Sequence, residues 1–137
     1  MVFVRWVPYG PSGFTDAAVR LLAGKLKLHG GIYVGVVAAE ELLKVAELLP
    51  PANLDDSQNA APALRDFLEV ARAEPRALFQ VYVVPSTRPD ERLTVEGVYV
   101  PSDRPDLIGF LYRRGAQPSR EDVVEVGGTV YHYMWWD

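Results

Sequence analysis

Guanidinium groups recur in one setting in this chain. The run Val81-Tyr82-Val83-Val84-Pro85-Ser86-Thr87-Arg88-Pro89-Asp90 is echoed by Val98-Tyr99-Val100-Pro101-Ser102-Asp103-Arg104-Pro105-Asp106. Each copy is a β-branched stretch stopped by proline, then a polar turn with one arginine. Two guanidinium forks suit phosphate or carboxylate, so Arg88 and Arg104 would clamp an anion if they met. A hairpin of residues 78–84 and 92–100 sends them to opposite ends of a sheet. The favoured reading is two polar turns, with Asp90, Ser102 or Asp103 bonding local backbone.

Three further groupings carry possible chemistry. Gly10, Ser12 and Gly13 form a loop between a predicted strand and helix, where N–H groups and the helix dipole hold anions. It lacks both the Lys-Ser/Thr ending of a phosphate loop and the Gly-x-Gly-x-x-Gly spelling, which favours a tight turn. Asp55-Asp56-Ser57, in a long irregular segment, offers paired carboxylates for acid–base work or magnesium, with a solvated loop as the simpler reading. His132, with Glu121 and Glu125 as diagonal cross-strand neighbours, has the donor types of a metal ligand or general base. Diagonal spacing is long for direct ligation and no second histidine stands nearby in sequence, which favours a solvated cluster.

The tail Tyr131-His132-Tyr133-Met134-Trp135-Trp136-Asp137 places apolar groups on both faces of one strand. Pairing across Gly127-Gly128 sets Val126 opposite Thr129, Val124 opposite Tyr131 and Asp122 opposite Tyr133. One face then carries Val124, Val126, Tyr131, Tyr133 and Trp135 and is assigned to the core. The other carries His132, Met134 and Trp136, and is exposed unless helices or a partner cover it.

The expected function is a non-catalytic binding or assembly module that self-associates, as a homodimer, through this aromatic strand. The alternative is single-stranded nucleic-acid binding on a sheet face carrying Arg92, Tyr99, Arg113, Arg114, Arg120, His132, Trp135 and Trp136. A third reading joins the Gly10–Gly13 loop to Asp55 or Asp56 in a small enzyme. No catalytic residue is assigned, and neither a cofactor, a metal nor a membrane partner is expected.

Composition bounds these readings. A chain of 137 residues fits one domain, and 49% hydrophobic with 23% charged residues describes a folded protein. The absence of cysteine removes disulfides and thiolate chemistry. The opening Met1 to Trp6 has no basic leader and no run approaches a membrane span, so a cytoplasmic location is expected. Two methionines and eleven prolines lean towards a thermophilic source, though arginine's excess over lysine also fits a GC-rich genome. A net charge of -4, with no basic half or tail, disfavours strong nonspecific nucleic-acid binding.

The elements that must position these groups follow from periodicity. Residues 2–8 read as a strand and Asp16 to Leu28 as a helix stopped by Gly30-Gly31. Ile32 to Val37 reads as a buried strand completing a β-α-β opening, and Ala38 to Leu49 as a helix stopped by Pro50-Pro51. A third helix follows Pro62, with Leu64, Phe67, Leu68 and Ala71 inward. Period two then predicts strands with Phe79, Val81, Val83, Leu93 and Val95 inward, and a bulge at Glu96-Gly97 flips the phase before Val98 and Val100. Leu107 to Arg113 reads as a further strand before the terminal hairpin. The expected fold is one α+β domain over 1–137, a β-α-β-α-α part followed by an antiparallel β-meander, in two layers with helices on one face.

Overall fold

A computed structural model describes residues 9–137, so the predicted strand at 2–8 lies outside the described residues. The elements are α1 (Phe14–Leu21), β1 (Leu26–His29), β2 (Ile32–Ala38), α2 (Ala39–Ala46), a 3-10 turn (Pro51–Asp55), α3 (Leu64–Ala73), β3 (Leu78–Val84), β4 (Arg92–Pro101), α4 (Pro105–Arg114), β5 (Arg120–Val126) and β6 (Thr129–Trp135). The strands form one open sheet in the order β1-β2-β3-β4-β6-β5, antiparallel at every pairing. This is the expected α+β fold with a meander and helices on one face.

Two elements differ from the sequence reading. The helix expected over 16–28 stops at Leu21, and Leu26 to His29 instead form β1, paired with β2 from Leu26↔Gly35 to His29↔Ile32. Gly30 and Gly31 adopt φ of 57° and 83°, matching Gly127 and Gly128 at 57° and 84°. Both pairs turn hairpins in the left-handed conformation that suits strand twist. Within the described residues the opening is therefore a helix and a hairpin. At β1–β2 the sheet also needs glycine at position 35, where a Cβ would collide with the Lys25 carbonyl.

The second difference is α4, where a strand is expected over 107–113. Pro105 occupies the first turn, Asp106 faces the positive end of the dipole, and Arg113 and Arg114 close the negative end. Leu107, Ile108 and Leu111 then fall on one helical stripe, with Leu111 fully buried. A short apolar run fits both periods, and the terminal residues break the tie.

Elsewhere the sequence pattern holds. Leu42 and Val45 of α2, and Leu64, Phe67, Leu68 and Ala71 of α3, are buried against Phe79, Val81, Val83, Leu93, Val95, Val98 and Val100. The backbone N–H groups of Ala38 and Ala63, just before these helices, donate to the acids three residues on, Glu41 at 2.8 Å and Asp66 at 3.0 Å. The register slips at Glu96, with Val95 opposite Val81 and Gly97 opposite Gln80. That bulge keeps both halves of β4 facing the helices.

The terminal hairpin has the predicted pairing but the opposite facing. Val98 pairs with Met134 and Val100 with His132, so Met134 shares the helix-side face and is 0% exposed. Trp136, 1% exposed, stacks edge-on to Phe67 at 5.9 Å and donates its indole N–H to the Ala116 carbonyl at 2.9 Å. Tyr131, Tyr133 and Trp135 take the other face. β6 lies inside the sheet between β4 and β5, and that position decides which side the helices cover.

Candidate functional site

Of the predicted loop residues Gly10, Ser12 and Gly13, only Gly13 meets a carboxylate, and that carboxylate belongs to the chain. Gly13 N–H and Thr15 N–H, at the amino end of α1, donate to Glu91 at 3.0 and 2.9 Å, and the Thr15 hydroxyl donates to the same carboxylate. Glu91 is 5% exposed and comes from the β3–β4 turn. The positive end of α1 is thus met by an internal carboxylate. Ser12 points elsewhere, its hydroxyl 3.5 Å from the Ser86 carbonyl.

The duplicated phrase also resolves into internal ion pairs. Arg88 forks Asp90 at 3.0 and 2.9 Å, and Arg104 forks Asp106 at 3.2 and 3.0 Å. Both are Arg-Pro-Asp: proline fixes the backbone between the partners, and the planar fork matches a carboxylate two residues on. The turns follow opposite ends of β4, so the arginines do not converge. Arg104 also reaches buried Glu74, which Arg76 binds at 2.9 Å. Hydrogen bonding from Arg76, with help from Arg104, holds the Glu74 carboxyl down at about 2.

Asp55 and Asp56 diverge. Asp55 pairs with Arg65 at 2.9 Å, whereas Asp56 accepts from Gln58 at 3.0 Å and lies 3.9 Å from Arg92. This segment completes β4, whose first half has no β6 partner. Asn53, fully buried, donates to the Leu93 carbonyl at 2.7 Å and accepts the Leu93 N–H at 3.0 Å. Its side-chain amide thus stands in for a neighbouring strand.

The predicted aromatic and arginine residues do not share one surface. Arg92, Tyr99, Arg120 and Trp135 lie on the open face of the sheet. His132 lies on the helix side, Arg113 and Arg114 belong to α4, and Trp136 is in the core. Arg113 lines a shallow hollow of about 260 Å³ between α3 and α4 with Glu69, Val70, Leu107 and Phe110. Arg114 covers the Phe110 ring at 5.0 Å and lies 3.8 Å from Asp66. Arg92 donates to the Asp90 carboxylate at 3.1 Å.

The open face is an aromatic platform. Tyr99 and Tyr133, paired across β4 and β6, have ring centroids 4.6 Å apart, and Tyr131 meets Tyr99 edge-on at 6.2 Å. The Tyr133 hydroxyl donates to Gln80 at 2.9 Å, and the Gln80 amide reaches the Tyr82 oxygen at 3.3 Å. Desolvation, then the neighbouring Tyr99 and Tyr82, pushes the Tyr133 phenol up to about 12. Across the centre of this face, Val34, Val36, Gln80, Tyr82, Tyr99, Tyr133 and Trp135 are all uncharged. Charge stands on β1 with Lys27, on β5 with Arg120 held to Asp122 at 2.7 Å, and on β4 itself with Arg92 and Glu96, the latter 9% exposed and accepting from Thr94 at 3.1 Å and Asn59 at 2.9 Å.

On the helix side, Tyr112, Glu121 and His132 meet, a cluster incomplete in the sequence reading because Tyr112 stood in a supposed strand. No family model matches this chain, and comparison with curated proteins and with solved structures finds no match.

Proposed function

We propose that this chain is a non-catalytic assembly module that forms a homodimer by laying the open face of its sheet on the same face of a second copy. The observation that carries this reading is the cluster of Tyr82, Tyr99, Tyr133 and Trp135 on that face, beside which the Glu96 carboxylate is held by Asn59 and Thr94. A ring-rich patch is complementary to itself, and the Glu96 carboxylate on the same face already has two hydrogen-bond partners inside the protomer.

The dimensions are adequate. Six strands about 4.8 Å apart and seven residues at about 3.3 Å each give a whole sheet face of roughly 500 Å² in projection, or at most about 1,000 Å² for two copies, since Val84 and Thr94 on this face are already buried. That meets the lower bound for a specific interface. Edge-to-edge pairing through β5 is less favourable. A two-fold axis at Val123 sets Glu121 opposite Glu125 of the second copy, and one at Asp122 sets Asp122 opposite itself.

Nucleic-acid binding draws less support, because of the predicted arginines only Arg92 and Arg120 lie on the aromatic face and each is held by a carboxylate, Asp90 and Asp122. Sedimentation and light scattering test the proposal. The parent should be dimeric, and Trp135→Glu or Tyr99→Glu should yield a folded monomer. Trp136 substitutions are unsuited to this purpose because they open the core. A parent that stays monomeric up to millimolar protein, or a dimer unmoved by both substitutions, overturns the reading. Salt-sensitive tryptophan quenching by an oligonucleotide would replace it with the nucleic-acid alternative.

A further inference from the structure

We propose that Tyr112, Glu121 and His132 form a binding site for a first-row divalent cation of the zinc and copper class. The donors come from three elements, α4, β5 and β6. His132 Nε2 lies 3.2 Å from Glu121 Oε1 and 3.5 Å from the Tyr112 hydroxyl, which itself donates to the same Glu121 oxygen. Donors at about 2.0–2.1 Å from a tetrahedral cation lie roughly 3.3 Å from one another, so the two histidine edges already have the length of a coordination shell. The Tyr112–Glu121 edge is shorter and opens when the cation replaces the hydrogen bond.

The surroundings fit this use. Glu121 and His132 are diagonal neighbours on β5 and β6, whose Cβ atoms stand too far apart for direct contact, yet both side chains lean to one point under Tyr112. The Tyr112 and His132 rings meet edge-on at 6.4 Å, which orients the imidazole. All three side chains reach solvent, leaving further coordination positions for water. An imidazole among oxygen donors selects zinc or copper over magnesium and calcium, which prefer all-oxygen sets.

The test is calorimetric titration of Zn²⁺ and of Cu²⁺ into the full chain at neutral pH, with histidine side-chain NMR followed in parallel. The chain has two histidines, so His29→Asn assigns the spectrum and serves as the control. Saturable binding with a shift of the His132 signals is expected. His132→Asn and Glu121→Gln should each weaken it at least about tenfold, Tyr112→Phe should weaken it less, and His29→Asn should leave it unchanged. Unaltered thermal melts establish that the variants fold, and His132→Asn alone carries the test if Glu121→Gln does not. No binding at millimolar Zn²⁺ and Cu²⁺, binding that survives His132→Asn, or equal binding of Mg²⁺ overturns the proposal.

Discussion

Replacing Glu91 by alanine strips the amino end of α1 of its counter-charge. Two backbone N–H groups and the Thr15 hydroxyl lose their acceptor together, in a place where Glu91 and Thr15 are almost wholly withdrawn from water. Hydrogen bonds to a charged group contribute about 1.5–3 kcal/mol each and are not additive, and a partly buried charge at a helix end adds up to about 2 kcal/mol. Glu91→Ala should therefore cost about 3–5 kcal/mol. In a chain of 137 residues that lowers the melting temperature by roughly 10–15 °C. Glu91→Gln, which keeps one oxygen but presents an amide to N–H donors, should cost about half as much. Circular dichroism during thermal and urea unfolding measures both. Sulfate supplies a second readout: it should restore stability to Glu91→Ala beyond the general stabilisation it gives the parent, because the vacated helix end can take an anion. A cost below about 1 kcal/mol, or an equal response of parent and variant to sulfate, would refute the reasoning.

Two further predictions follow from buried polar contacts. Asn53→Ala leaves the Leu93 N–H and carbonyl without partners inside the protein, so it should cost about 2–4 kcal/mol and abolish hydrogen-exchange protection of the Leu93 amide; a protected amide in the variant counts against a strand-mimicking role. Glu74 titrates at about 2 when folded against an ordinary 4.5, so its contribution is complete above the ordinary value and is lost as pH falls towards 2. Between pH 4.5 and 2 the parent should lose stability more steeply than Glu74→Gln, and parallel curves would show that the two arginines do not hold this carboxyl.

Much of the fold was legible because the relevant signals are local. Leu64, Phe67, Leu68 and Ala71 mark α3 by spacing alone, and the apolar phase change after Glu96 reports the bulge without any knowledge of its partner strand. Position 26 shows where this stops. Leu26 continues the stripe of Val19 and Leu22, so a helix reading satisfies the pattern, yet Gly30-Gly31 can fold the same residues back on Ile32 to Ala38. Sheet hydrogen bonds that exist only once β2 is seated on β3 favour the second outcome. The candidate sites were less legible for the same reason. Glu91 is 76 residues from Thr15, and no spacing rule connects a β3–β4 turn to the start of α1.

From composition and pattern alone came the α+β class, the hairpin register at Gly127-Gly128 and the chemical character of each turn, since these depend on backbone preferences and neighbours within a few residues. Tertiary packing decided which face of β6 is core. Alternation with period two defines two faces but not which one the helices cover, and the pairing of β4 with β6 settled that by taking Met134 inward. Packing also decided that the anion at α1 is the chain's own Glu91, because a helix end attracts whichever carboxylate the fold brings within reach.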